Sequence, residues 1–346
     1  MTTLKQVAER AGVSSATVSK VLSNTPYVSA KTRIRVLQAV EELGYVPNLA
    51  ARALAQGRTY NIGVIFPLIY TSLFSDPQTL SILEGVERVA TEHGYNMLIS
   101  TPKIPVEDSE QVHRLLRSRY FDGVILLENL PDQLMSGFIA EHDYPSVAIG
   151  YQSHDSKPNT IRIDDYHGAR SAAEHLLALG HRRFAIIDIA PIPFFSVSER
   201  VRGYLEALEN GGIYREDVRI EHGDYTIGSG AEAMQRLLHQ PSPPTAILSV
   251  TDLMAIGAVN AARAAGVVVP QALSVVGFDD IPLAAHIDPP LTTVRQESQA
   301  LGETAARRLF DLLKDKQAAF DTVVLPTSLI VRRSTGPAHG EEDARN

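Results

Sequence analysis

Up to Leu43 the chain places its apolar side chains at helical spacing in three short runs. Leu4, Val7, Ala8 and Ala11 make the first; Val18, Val21 and Leu22 make the second; Val36, Val40 and Leu43 make the third, with Ile34 and Leu37 beside it. Thr3, Ser14 and Ser29 stand where N-caps belong, since a short side-chain oxygen there accepts from the first free amides of a helix. Gly12 can take the left-handed conformation that ends the first helix. The pattern predicts helices near residues 4–11, 14–22 and 29–43, the first two joined by the tight turn Ala11-Gly12-Val13-Ser14. Gly44 and Pro47 then break the chain. Residues 48–55 are alanine-rich and too few to hold a helix alone, so they are expected to be a linker that orders only in a bound state.

From residue 61 the period changes. Short β-branched runs at 61–66, 95–100, 123–127 and 146–149, and again at 160–163, 184–188, 245–249 and 274–278, alternate with helical patterns. Strands alternating with helices imply parallel sheets covered on both faces, and two such sets imply two lobes. In such folds ligands bind outside the carboxyl ends of the strands.

Two short helices around a glycine-containing turn make a helix-turn-helix. Its second helix enters the major groove, with its N-terminal residues against base edges. Ser15, Ala16, Ser19 and Lys20 face away from the apolar stripe of that helix. Small side chains permit close approach, a methyl or hydroxyl can meet thymine methyls or base edges, and Lys20 can reach guanine or phosphate. Lys31, Arg33 and Arg35 at the start of the third helix suit phosphates. A three-helix core with no DNA role uses the same apolar pattern. Charge separates the two readings in part. The chain carries −8, but residues 1–60 hold eight Lys/Arg and three Glu, a net +5, which leaves −13 on the remainder. A basic head on an acidic body is expected where one end meets a polyanion. Leu54, exposed on a short linker, fits the apolar wedges that minor-groove proteins insert between base steps.

The 346 residues suffice for two or three domains, and 44% hydrophobic with 21% charged residues is ordinary globular composition. The absence of cysteine excludes disulfides, thiol nucleophiles and thiolate metal sites. The first residues lack the apolar core of a signal peptide, and no apolar run reaches the length of a membrane span, so a cytoplasmic protein is expected.

Six blocks, in order, carry a family resemblance: TLKQVAERAGVSSATVSKVLSN, VSAKTRIRVLQAVEELGYVPNLAARALA, AAEHLLALGHRRFAIID, SERVRGYLEAL, TDLMAIGAVNAA and VVGFDDIPLAAHIDPPLTTVRQ. Over residues 3 to about 333 the chain resembles the lactose-repressor (LacI/GalR) family of transcription regulators. The resemblance implies an all-α helix-turn-helix head before a two-lobed α/β core like that of periplasmic binding proteins, with Rossmann-like lobes and a ligand cleft between them. It places the head at 1–46, a hinge helix and linker at 47–60, one lobe at 61–161 with 291–320, the other at 162–290 with 321–335, and a polar tail at 336–346. It implies a homodimer whose heads read the half-sites of a pseudo-palindromic double-stranded operator, with Leu54 of each subunit wedged at a central CG step. The candidate DNA contacts are Thr3, Ser14, Ser15, Ala16, Thr17, Ser19, Lys20, Asn24, Tyr27, Ser29, Lys31, Thr32, Tyr45, Asn48, Ala51, Leu54 and Ala55. The tail has no leucine heptads, which favours a dimer over a coiled-coil tetramer.

Arg200 and Asp279 match the family's effector-binding arginine and aspartate, a pair able to grip adjacent hydroxyls by charge-assisted hydrogen bonds. With them stand Phe74, Gln78, Thr79, Gly150, Tyr151, Ser196, Tyr225 and Thr251. Phe194 and Phe195 are further aromatics in cleft loops, and Tyr225 matches a position where the family often carries a ring. Asp252, Asp164 and Asp165 read as helix caps. Three departures fall at this site: Gln78 and Thr79 replace a common aromatic pair, Gly150 a frequent aspartate, and Thr251 a frequent asparagine. A polar pair suits hydroxyl-rich ligands better than flat purines, so the expected effector is a sugar, up to an oligosaccharide. A nucleobase or a protein partner remains an alternative signal. No metal or other cofactor is expected.

An effector that closes the lobes can bias the hinge only by its differential affinity for the two states, about 1–3 kcal/mol. Inducer and corepressor both remain open. A sugar-transport binding protein needs a signal peptide and no head. An enzyme needs a constellation, and the chain offers no HExxH, phosphate loop or GxSxG. The adjacent pairs Asp164-Asp165 and Asp279-Asp280 do not suit the separation that glycoside hydrolysis requires. His181, in a loop before a strand, reads as structural.

Overall fold

The computed structural model describes residues 2–22, 27–45, 57–66, 73–101, 120–127, 145–150, 159–189, 194–315, 318 and 322–338. The chain divides into two compact units, Met1–Tyr60 and Asn61–Asn346.

The first unit holds α1 (Leu4–Ala11), α2 (Ser15–Leu22) and α3 (Ala30–Glu42). Thr3 caps α1 through a reciprocal box with Gln6, and Gly12, at φ 62°, closes it with its amide on the last carbonyls. Ser14 accepts from the Thr17 amide at 3.2 Å and Ser29 from the Thr32 amide at 3.2 Å, so each helix starts where its capping hydroxyl stands. Val7, Ala8, Ala11, Val18, Val21, Val36 and Ala39 form the core, with Leu4, Val40, Leu43 and Tyr45 packed around it. Ile34 and Leu37, expected beside this stripe, are 58% and 48% exposed. The stripe of α3 runs through Val36 and Ala39 and leaves them outside.

The second unit carries two six-stranded sheets. The first is built from β1 (Asn61–Ile65), β2 (Asn96–Ser100), β3 (Gly123–Leu127), β4 (Ser146–Ile149), β5 (Thr160–Ile163) and β11 (Val323–Leu325), in the order β11-β5-β4-β3-β1-β2. Every pair in it is parallel. The second contains β6 (Phe184–Ile189), β7 (Arg219–Gly223), β8 (Ala246–Ser249), β9 (Ser274–Asp279), β10 (Thr292–Gln296) and β12 (Thr327–Ile330), in the order β12-β10-β9-β8-β6-β7. Only β12 is antiparallel, against β10. Among the described residues the α-helices are α4 (Pro77–Glu92), α5 (Asp165–Ala178), α6 (Phe195–Asn210), α7 (Ile227–Leu238), α8 (Asp252–Ala264) and α9 (Ser298–Lys314). They pack in pairs: α4 on α9, α5 on α6, α7 on α8. Glycine makes the first pairing this close, because a Cβ at Gly302 would strike the Ile82 carbonyl and one at Gly85 the Gln299 carbonyl.

The lobe boundaries follow from hydrogen bonding between strands. The resemblance implies crossings near 161, 291 and 321, with residues 291–320 in the N-terminal lobe. Instead β10 pairs with β9 and β12 in the C-terminal sheet, and β11 returns to pair with β5 in the N-terminal one. The chain therefore changes lobe at Asp164, Glu297 and Pro326, each the single residue between an element of one lobe and an element of the other. Among the described residues no helix is long and apolar enough to cross a membrane.

Candidate functional site

On the head, α2 buries Val18 and Val21 and exposes Ser15, Ala16, Ser19 and Lys20. Thr17 is half-buried, and its hydroxyl lies 2.9 Å from that of Ser14. Ser29 and Thr32 repeat this pairing at 2.9 Å at the start of α3, where Lys31 and Arg35 are exposed. Thr3 is exposed at the start of α1, Tyr27 is 93% exposed, and Tyr45 is half-buried against the head core. The exposed positions among these present hydroxyls, helix starts and basic side chains, the groups that hold phosphates and read base edges. Asn24, Asn48, Ala51, Leu54 and Ala55 lie outside the described residues.

In the core a cavity of about 330 Å³ opens at the carboxyl ends of the strands of both sheets. Gln78, Thr79, Gly150, Ser196, Arg200, Tyr225, Thr251 and Asp279 all line it. Phe74 is 67% exposed and off its wall, and Tyr151 lies outside the described residues. Phe194 lines the cavity and tilts against Tyr225, with ring centroids 6.0 Å apart. Phe195 instead lies under the Arg162 guanidinium, 5.5 Å away.

Arg200 is the anchor of the floor. It rises from α6, fully buried, and donates through Nε to Asp165 at 2.7 Å. Its Nη1 donates to the Val250 carbonyl at 2.6 Å and to Asp279 at 3.3 Å, and its guanidinium lies 3.9 Å above the Phe278 ring. Asp279 ends β9 at φ 124°, and Asp280 follows at φ 56°. Two non-glycine residues in this region store strain that the surroundings must hold. Arg295 and Arg332 hold it, donating to the Asp280 carboxylate at 2.7 and 2.6 Å respectively. The turn thus separates the adjacent carboxylates, sending one into the cavity and the other to these two arginines.

Several neighbours were not expected. Asp165, read as a cap, is buried and paired with Arg200, while Asp164 caps α5 by accepting from the His167 amide. Asp252, read as the cap of α8, is instead its first residue; Thr251 is the cap and lines the cavity as well. The Asp252 carboxylate lies beneath the floor and accepts from the Ile281 amide at 2.9 Å and the Thr293 hydroxyl at 2.5 Å. Gln296, on β10, lines the cavity and donates to Asp279; its buried Oε1 has no partner among the described residues. No local pattern marks Gln296, because its role comes from the β9–β10 pairing. His181 is buried as a structural residue, its ring held by Thr245, Ser274 and the Gly336 carbonyl.

Burial dominates the electrostatics. It pushes the Asp279 carboxyl up to about 7, against the lowering pull of Arg200 and with help from the charge on Asp76. It pushes Asp165 up to about 6, again against Arg200. Asp252 is raised well above the ordinary carboxylate range by burial and then by Asp279. Burial works against the Arg200 charge too, yet Asp165 and Asp279 hold it protonated more firmly than usual. The arrangement is a fixed cation among carboxylates at the base of a cavity lined by hydroxyls, amides and aromatic rings, equipped to accept hydrogen bonds from a polyhydroxylated molecule.

Comparison with known proteins agrees with both halves. The family model described as bacterial regulatory proteins, lacI family, matches residues 3–48, and that of a periplasmic binding protein-like domain matches residues 173–335. The transcriptional regulator CelR of Thermobifida fusca is 35% identical over 96% of this chain and 98% of its own. The transcriptional repressor CytR of Escherichia coli K12 is 34% identical over 96% of each. Among solved structures, a lac repressor dimer bound to operator and the anti-inducer ONPF superposes with TM-score 0.88 at 33% identity, over 97% of this chain and 99% of that one. A CelR–cellobiose complex superposes with TM-score 0.73 at 34% identity, over 96% of this chain and 100% of that one.

Proposed function

The chain belongs to the lacI family of bacterial regulatory proteins and is a DNA-binding transcription regulator, and from that premise we propose that it is a homodimeric repressor governed by a sugar. The sugar occupies the cavity between the lobes. The observation that carries this reading is the Arg200–Asp165–Asp279 cluster at its base, with Gln78, Thr79 and Gly150 facing it from the other lobe. The CelR–cellobiose complex supports a carbohydrate.

The mechanism follows from the connectivity. Among the described residues the chain passes between the lobes at Asp164, Glu297 and Pro326, so a ligand that bridges Gln78 and Asp279 closes them about three single-residue crossings. In a dimer, closure alters the spacing of the two linkers that enter β1 at Asn61. Two heads then fit, or fail to fit, two half-sites. The operator response is limited by the ligand's differential affinity, about 1–3 kcal/mol. The exposed face of α2 reads the major groove, and residues 47–55 with Leu54 occupy the minor groove between the half-sites.

Thermal denaturation against sugars and purines, followed by operator binding, tests the effector. A ligand near a hundredfold its Kd stabilises by about 2.7 kcal/mol, and a sugar is expected to do so and to shift operator affinity. A purine that does both while every sugar is silent overturns the sugar reading. On the head, Lys20→Ala is expected to weaken operator binding by about 1–3 kcal/mol, with the helical content unchanged. Undiminished affinity takes α2 out of the interface.

A further inference from the structure

We propose that the effector is an uncharged sugar with free neighbouring hydroxyls, and that the site rejects phosphorylated sugars and sugar acids; this rests on the sugar reading above.

The wall of the cavity is acidic. Asp76, Asp165 and Asp279 line it and Asp252 is buried within electrostatic reach of Asp279, while Arg200 is the single basic side chain on it among the described residues. Most of that cation is already committed, and only its Nη2 has no partner among the described residues. Its Nε is committed to Asp165, its Nη1 to Asp279 and the Val250 carbonyl, and its π-face to Phe278.

Helix starts are the other common anion holders. Of the six described helix starts at the cavity, four carry a side-chain cap: Asp76 on α4, Asp164 on α5, Thr226 on α7 and Thr251 on α8. At α4 the cap is itself a carboxylate in the cavity, accepting from the Gln78 and Thr79 amides. Among the described helices only α6 and α9 start there without a side-chain cap, and a helix end amounts to about half a charge. Neither reverses the sign set by the carboxylates.

The polar surface also holds an unmet acceptor. Gln296 spends its Nε2 on Asp279 and leaves its buried Oε1 with no partner among the described residues. A buried acceptor left unpaired is unfavourable, and a ligand hydroxyl placed there satisfies it. Asp76 and Asp279 stand on opposite lobes, and the charge on one opposes ionisation of the other. A molecule with hydroxyls and no negative charge relieves that opposition by donating to both. A phosphate or carboxylate adds to it.

The test is a binding panel on the full-length protein, read by thermal shift and calorimetry at pH 7.5. Neutral probes are glucose, maltose and cellobiose; anionic probes are glucose 6-phosphate, glucuronate and cellobionate; inorganic phosphate carries the charge with no sugar. At least one neutral sugar is expected to bind, its anionic counterpart at least a hundredfold more weakly, and phosphate to produce no shift. The gap is expected to narrow at pH 5.5 and in Asp76→Asn, which removes one carboxylate and keeps a capping side chain. An anionic sugar that binds as tightly as or tighter than its neutral counterpart overturns the proposal and leaves the sugar reading intact. Adenine or guanine binding with all six sugars silent overturns the sugar reading itself.

Discussion

Arg200→Met is expected to destabilise the protein by about 3–5 kcal/mol at neutral pH, the loss typical of breaking a buried ion pair from one side. The substitution keeps much of the side chain's length and apolar contact while deleting the charge. Asp165 and Asp279, both buried, then have no counter-charge, and the Val250 carbonyl loses its donor. The Phe278 ring loses the cation above it. Against a total stability of about 5–15 kcal/mol, such a loss is large. Urea unfolding of the full chain measures it. The deficit should shrink at pH 5, where the stranded carboxyls accept protons instead of remaining charged. Arg200→Lys should recover only part, because one ammonium cannot span both carboxylates as the planar fork does. Arg200→Met with wild-type stability at pH 7.5 would mean that the carboxylates are not held by this arginine. Effector binding should be lost in the same variant.

The readable parts of this molecule were those whose cause is local. Thr3, Ser14, Ser29 and Gly12 act within four residues of themselves, and each does what its type and position predict. The strands β1, β3, β4, β6, β8 and β9 are buried along nearly their whole length, so they stand out as β-branched runs. The missed strands lack that signal. β7 and β11 are half-exposed edge strands, and β10 and β12 read as polar segments. Assigning β10 to the wrong lobe has the same origin, since only its pairing with β9 and β12 decides its place.

At the cavity the division is similar. Arg200 and Asp279 were found through family resemblance, and nothing in their local spacing announces that they meet across 79 positions. Asp164 and Asp165 look alike in sequence, yet one faces the Thr327 hydroxyl with its carbonyl and caps a helix while the other is buried on Arg200. The one-residue difference between Thr251 and Asp252 decides which is the cap, and helix-start signals do not resolve single residues.

Raising the pH from 6.5 to 8 is expected to destabilise the protein in the absence of effector, although carboxylates more often stabilise as they ionise. The reason is the direction in which burial moves these groups. Asp165 and Asp279 are held near 6 and 7 in the folded chain, against an ordinary value of 3.8. Between those limits the folded state binds more protons than the unfolded one, so stability falls as pH rises. The contribution is fully present below the unfolded value and gone above the folded one. Every tenfold weakening of an acid on folding is worth about 1.4 kcal/mol, so the two carboxyls together amount to several kcal/mol across the whole range. Asp252 and Asp188, also raised by burial, push the same way. His175 and His181 oppose them, because burial lowers both below their ordinary 6.5, and they weaken the fold only as pH falls. Their gain continues a little above pH 6.5, so the difference between wild type and Asp279→Asn is what isolates the carboxyl. Around Asp279 the ionic groups are Arg200 from α6, Asp76 at the start of α4, Asp252 on α8 and Asp165 on α5, and only Arg200 favours its ionised form. Asp279→Asn should flatten the profile, keeping the Arg200 and Gln296 neighbours while removing the titration. Effector binding should run in the opposite direction. A sugar hydroxyl needs an ionised Asp279 to donate to, so affinity should tighten by up to about tenfold for each step of one in pH below 7 and level off above it. Calorimetry in two buffers of different ionisation enthalpy should then register a proton released at pH 6.5. An Asp279→Asn variant whose melting temperature follows the wild-type profile between pH 6.5 and 8 would show that Arg200 neutralises these carboxylates completely. The effector would then gain nothing from bringing hydroxyl donors to them.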